Sequence, residues 1–354
     1  MKTLLIGNGG LRRAMNAAML AALLCTSCAT CPDGGSSAAV RPVDLDAAVR
    51  PDLRDALAAF PKLNLQDLIA ADRSGALLDK SALPSDPAVR VGDRVLVGLG
   101  VPDLRVRIYE PAAPAQGDRP AILYTHGGGH VICHPETYEA QLIRFAKEVG
   151  AVVVAPDYRL APEYPYPADL DDCFAALRWM TDRKASGLAI DPSRVAVAGD
   201  SAGGGLTIAV ALRARDEDGP AIRFILPIYP MLDCRSATAS CRRIADTRVW
   251  NRDFNVFAWD AYLAGAPRPV PAYASPALAD DVSGLPPAYL TVGTLDPFLD
   301  EDVAFAARML EAGVPVELHV VPGAFHGFDS LAAATPTSRD IVGEYIGALK
   351  TALR

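Results

Sequence analysis

Val195-Ala196-Val197-Ala198-Gly199-Asp200-Ser201-Ala202-Gly203-Gly204 is the stretch whose reading decides the fold. An apolar run long enough for a buried strand ends in Gly-x-Ser-x-Gly, and Leu206 to Leu212 then reads as a helix. A strand, a tight turn and a helix around that pattern make a nucleophile elbow. Gly199 and Gly203 remove side chains where strand and helix pass closest, and Ser201 is held proud of the sheet edge. Without partners elsewhere the same residues would be an ordinary glycine-rich turn.

Outward from the elbow, strand and helix patterns alternate. Upstream, Arg94 to Val97 and Leu104 to Glu110 read as strands. Ala121 to Thr125 is a buried-type strand that runs straight into His126-Gly127-Gly128-Gly129, with a helix over about 138–149 and a strand from Ala151 to Pro156 after it. A helix over about 169–183 leads back to the elbow. Downstream, Phe224 to Tyr229, Ala288 to Val292 and Val314 to Val321 read as strands, with helices over about 300–310 and at the C-terminus. Strands separated by helices predict an α/β fold with a mainly parallel central sheet flanked by helices. Ligands of such sheets bind at the carboxyl ends of the strands.

Acyl transfer needs a nucleophile, a base, an acid to orient the base, and donors for the oxyanion. After an elbow serine the acid and then the histidine follow along the chain. Of the five histidines, His319 and His326 come late enough. His319 sits inside the last strand beside Glu317, whereas His326 lies in the loop beyond it, which makes His326 the candidate base. Asp233 and Asp296 both stand at strand ends. Asp296 leaves the strand just before the one that leads to His326, so it is the candidate acid. Asp157, Asp300 and Asp302 read as loop or helix-start carboxylates, with Asp300 and Glu301 bracing the Asp296 turn. Gly128, Gly129 and Ala202 are the candidate oxyanion donors, and His126 reads as a structural residue pinning its loop.

With 354 residues and a net charge of −8, the chain can bury one large core and carries no basic run suited to nucleic acid. Lys2, Arg12 and Arg13 precede an apolar run over 14–24, too short for a membrane span of about twenty residues. This has the shape of a signal peptide over 1–29 and predicts export, to the periplasm or beyond. Leu24-Cys25-Thr26-Ser27-Cys28-Ala29 resembles a lipoprotein processing site with Cys28 as the lipidated residue, a possible membrane tether; cleavage after Ala29 is the alternative. Residues 30–92 read as a tether followed by helices over 43–57 and 63–78, and residues 93–354 as the main domain. Among the seven cysteines no spacing suggests a metal site, and none is expected. In an oxidising compartment Cys234 and Cys241 could close a short loop by a disulfide.

The chain resembles the hormone-sensitive-lipase family of α/β-hydrolase serine esterases. The resemblance covers about 94–329 and rests on His126-Gly-Gly-Gly, Asp157-Tyr-Arg-Leu-Ala-Pro-Glu163, Gly199-Asp-Ser-Ala-Gly-Gly204, Tyr273-Ala-Ser-Pro276, Leu285-Pro-Pro287, Asp296-Pro-Phe-Leu-Asp-Glu301 and His326-Gly-Phe328 in register. It implies the α/β-hydrolase fold, a Ser201–Asp296–His326 triad, and a helical cap built from the N-terminal extension and the segment after the sixth strand, about 234–270. It also implies a small-molecule ester substrate of short to medium acyl chain and no cofactor. Trp250, Phe254, Phe257 and Trp259 would wall the pocket or equally serve as core. Two positions depart from the family pattern: His130, where an aromatic residue is usual and which reads as a solvated loop histidine, and Cys133, where glycine is usual. Amidase, peptidase or lactone chemistry on the same residues is the alternative, as is a non-catalytic ligand-binding relative, against which the presence of His326 speaks.

Overall fold

The computed structural model describes residues 41–354. The signal-peptide and Cys28 readings lie outside the described residues. Eight strands form one sheet in the order β1-β2-β4-β3-β5-β6-β7-β8: β1 Val89–Leu96, β2 Leu104–Pro111, β3 Arg119–Thr125, β4 Val152–Pro156, β5 Ile190–Asp200, β6 Phe224–Ile228, β7 Ala288–Leu295 and β8 Val316–Phe325. β1 and β2 run antiparallel to their neighbours and every other pairing is parallel. β4 and β6 are buried throughout, and β3 and β5 are buried from Ala121 and Val195 onward, as strands covered on both faces must be.

Before the sheet come α1 Leu45–Ala48, α2 Arg54–Ala59 and α3 Leu65–Arg73. Between strands and after them lie α4 Glu139–Arg144, α5 Ala168–Thr181, α6 Arg183–Ser186, α7 Ala202–Asp216, α8 Ala239–Arg243, α9 Arg252–Tyr262, α10 Leu299–Glu311, α11 Phe328–Leu331 and α12 Pro336–Ala352. Among the described residues no helix is long and apolar enough to cross a membrane.

The helical spacing over 43–57 and 63–78 is interrupted at Pro51 and Pro61, as those prolines indicate, and the second helix ends early at Arg73, before Gly75. The pieces also divide their tasks. Leu45, Val49, Leu53 and Leu57 pack into the core beneath α12, through Ile341, Tyr345 and Leu349. Leu65 instead packs with Ile132, Met231, Phe254 and Trp259 above the sheet edge. The helix expected over 138–149 starts as a tight turn at Pro135–Tyr138 and ends in a widened turn at Phe145–Val149. β8 runs on to Phe325, beyond the expected end at Val321. Pro322 and Gly323 suggest a stop, yet β8 is an edge strand, where a missing N–H is tolerated. The disulfide between Cys234 and Cys241 is absent. Cys241 turns inward from α8 instead, where its buried Sγ accepts from Asn255 Nδ2 at 3.8 Å.

β3, β5 and α7 meet with no room for side chains. A methyl group on Gly203 would lie 2.0 Å from the Thr125 carbonyl oxygen, and one on Gly199 2.3 Å from Thr125 Oγ1. Gly203→Ala is therefore expected to lower unfolding stability by at least about 2 kcal/mol, read from the denaturant midpoint, whereas Gly343→Ala, with open space around it, is not.

Candidate active site

The turn after β5 puts Ser201 at φ 57 and ψ −123, a conformation that non-glycine residues adopt only when the surroundings over-determine it. Here they do: Ser201 N–H donates to the Ile228 carbonyl at 2.9 Å, and the Ser201 carbonyl accepts from Gly205 and Met231 at 3.0 and 2.9 Å. On the other side, Leu295 at the end of β7 pairs with Phe325 at the end of β8. The next residue of each strand is Asp296 and His326, so the parallel register sets the two side by side. His326 Nδ1 lies 2.8 Å from Asp296 Oδ2 and its Nε2 lies 2.9 Å from Ser201 Oγ. A carboxylate only accepts, so Nδ1 carries the proton and Nε2 is left to accept from the serine hydroxyl. Asp296 is fully buried and also accepts from Phe298 N–H at 2.9 Å. Tyr229 and Phe298 meet the imidazole edge-on, with ring centroids 4.8 and 5.1 Å away.

The glycine loop after β3 faces this row. Gly128 has φ +114, and a Cβ there would lie 2.1 Å from the Ile132 carbonyl; one on Gly129 would lie 2.2 Å from the Trp250 ring. Ala202 opens α7, where helical geometry leaves the N–H without an intrahelical partner. His126 is wholly buried, stacked on Tyr158 at 4.0 Å, with Nδ1 2.8 Å from the Gly127 carbonyl. Burial pushes its pKa down to about 4, so it stays neutral and donates, which pins the loop.

A family described as alpha/beta hydrolase fold matches residues 122–330. The chain is 36% identical over 310 residues to the esterase LipI of Mycobacterium tuberculosis, covering 86% of this chain and 96% of that protein. The chain belongs to the hormone-sensitive-lipase family of α/β-hydrolase esterases. It is also 38% identical over 273 residues to the carboxylesterase NlhH of the same organism, covering 75% of this chain and 84% of that one. Among solved structures, a bacterial heroin esterase superposes with a TM-score of 0.81 at 37% identity, covering 87% of this chain and 99% of that one. Membership in this family and these relatives make the protein a carboxylic ester hydrolase.

Other residues weighed in the sequence lie elsewhere. Asp233 pairs with Arg235 at 2.7 Å, and His319 with Glu317 and Glu344 at 2.8 and 3.0 Å. Glu301 braces the chain after β6, accepting from Leu232 and Asp233 N–H at 2.8 and 3.0 Å, rather than the Asp296 turn. Asp300 reaches that turn through Ser240, whose N–H it accepts at 2.7 Å while the Ser240 hydroxyl donates to the Pro297 carbonyl at 2.9 Å. His130 is not a solvated histidine in this hydrolase. It is buried, its Nδ1 lies 2.7 Å from Asp169 Oδ2, and its ring stacks on Tyr262 at 3.8 Å. Nothing local in the sequence joins α5 and α9 across this loop. Trp250 and Phe254 line the cavity at Ser201, which holds about 320 Å³, while Trp259 packs beside His130 and Tyr262.

Three residues that the sequence reading passed over complete the site. Asp200 lines the cavity, buried, accepting from the Tyr124 hydroxyl; burial pushes its pKa up to about 7. Asp72, near the end of α3, accepts from Cys133 N–H at 3.0 Å, fixing a residue held at φ 78, the left-handed backbone that glycine favours. His134 ties that carboxylate to the sheet, its Nε2 3.5 Å from Asp72 and its Nδ1 2.7 Å from Asp157. Hydrogen bonds to Asp157 and Asp72 push His134 up to about 9. A histidine raised in the folded state stabilises fully below the unfolded value, about 6.5, and loses that contribution as pH rises through about 9. The thermal midpoint is expected to fall between pH 7 and 9.5, and His134→Gln to flatten that part of the profile, as followed by circular dichroism.

Proposed function

We propose that the protein hydrolyses short- to medium-chain acyl esters through an acyl-enzyme on Ser201. The observation that carries this reading is the continuous row Ser201 Oγ, His326, Asp296, with both hydrogen bonds between 2.8 and 2.9 Å. Ser201 Oγ attacks the ester carbonyl as His326 Nε2 takes its proton, and the buried Asp296 carboxylate offsets the charge of the imidazolium. The carbonyl electron pair moves onto oxygen, where the amides of Gly128, Gly129 and Ala202 donate to it; one such donor is worth about 3 to 4 kcal/mol in the transition state. As the tetrahedral adduct collapses, His326 returns the proton to the departing alkoxide. Water then enters, gives its proton to Nε2, and the same steps in reverse free the acid and Ser201.

The size of the cavity, about 320 Å³, and its apolar wall of Leu63, Leu68, Val249, Trp250 and Phe254 support a short acyl chain. Turnover of 4-nitrophenyl acetate and butyrate is expected, with Ser201→Ala lowering kcat by about 10⁴-fold or more at unchanged thermal midpoint. Equal rates for the two proteins would overturn the assignment. A matched anilide turned over as fast as the ester would move the reading to amide hydrolysis.

The reading extends to location. The charged start, the short apolar run and Cys28 support export with a lipid anchor. Fatty-acid labelling of the expressed chain that disappears in Cys28→Ala is the expected outcome, and label retained in that variant would exclude Cys28 as its site.

A further inference from the structure

A second cavity of about 160 Å³ adjoins the one at Ser201. Thr137, Tyr138 and Ser330 line both, so the two meet at a partition made by these side chains. Tyr138 is a fixed part of that partition, packed on Tyr124 and stacked on His126 with ring centroids 5.7 and 6.4 Å away. Thr137 and Ser330 are the small side chains of that partition, where a substrate arm would have to pass.

The far wall combines apolar groups with polar ones, of which two already have partners. Asp329 accepts from the Tyr229 and Tyr345 hydroxyls at 2.6 and 3.2 Å, and Arg144 pairs with Glu148 at 2.8 Å. Gln141 differs. It lines the same cavity, and its Nε2 is buried with no hydrogen-bond partner. A buried amide nitrogen with an unmade bond is an arrangement that proteins rarely keep, and a ligand oxygen would complete it. The buried Asp329 carboxyl beside it disfavours an anionic group, whereas a hydroxyl can both donate to and accept from an amide. At about 30 Å³ for each water-sized group, the space holds roughly five chain atoms.

We propose that this cavity is a distal subsite for the ester, taking a neutral chain of about five atoms beyond the reacting centre whose hydroxyl bonds to Gln141. The inference rests on the esterase reading and adds to it a preference for hydroxylated chains. Whether the acyl or the alkoxy arm enters is decided by testing both.

The test compares wild type, Ala140→Phe and Gln141→Leu, none altered at Ser201, Asp296, His326 or the oxyanion amides. Ala140 is exposed on α4, so a ring there fills the cavity without disturbing the core. The acyl arm uses 4-nitrophenyl acetate, hexanoate and 6-hydroxyhexanoate; the alkoxy arm uses ethyl, hexyl and 6-hydroxyhexyl acetate, followed by acid release. Ala140→Phe is expected to lower kcat/KM for the six-carbon chains of one arm about tenfold while the two-carbon ester stays within twofold. Gln141→Leu is expected to lower the hydroxylated ester about tenfold and leave its plain counterpart within twofold. Ratios of long to short, or hydroxylated to plain, that do not move in either arm overturn the subsite. Failure of wild type to hydrolyse the acetate is a separate result, which overturns the esterase reading instead.

Discussion

The carbonyl of Thr125 and the backbone of Gly203 approach so closely that a single methyl group cannot stand between them. That contact fixes the end of β3 against the start of α7. It also delivers the loop after β3 to the same sheet edge as the serine that precedes α7, so that Gly128 and Ser201 line one cavity. Glycine at 199 and 203 is thus the condition for the elbow, and Ser201 accepts an unfavourable backbone angle because three hydrogen bonds hold it there.

The opposite side of the centre is set by register. Parallel pairing of β7 and β8 shifts register after Gly293 and Val321 and resumes at Leu295 and Phe325, and Asp296 and His326 follow at the next position of each strand. The remaining structure insulates this geometry. Leu45 to Leu57 close the core beneath α12, while Leu65 joins Ile132, Phe254 and Trp259 over the sheet edge.

What could be read from the sequence is what local pattern and chain order determine. Ser201, Asp296 and His326 stand at ends of apolar runs, and their order along the chain leaves few alternatives, so the structure brings together the three that were singled out. The buried strands were legible for the same reason, but β1 starts at Val89, ahead of the Arg94 read as its start and inside the stretch read as tether and cap, because its mostly exposed face carries no apolar run; β5 likewise starts at Ile190, and β8 runs past Pro322 and Gly323, where an edge position outweighs the usual breakers. Residues whose meaning depends on a distant side chain were not legible. His130 needs Asp169 and Tyr262 to be understood, and Asp72 needs the amide of Cys133, sixty-one positions away. Cys234 and Cys241 looked like a pair because they are near in sequence, yet Cys241 turns to Asn255.

The Trp250 ring occupies the space a side chain on Gly129 would need, and the same ring lines the cavity at Ser201. One indole therefore shapes the cavity and lies against the loop after β3, so a smaller side chain in its place would widen the cavity and take a neighbour away from Gly129 at the same time.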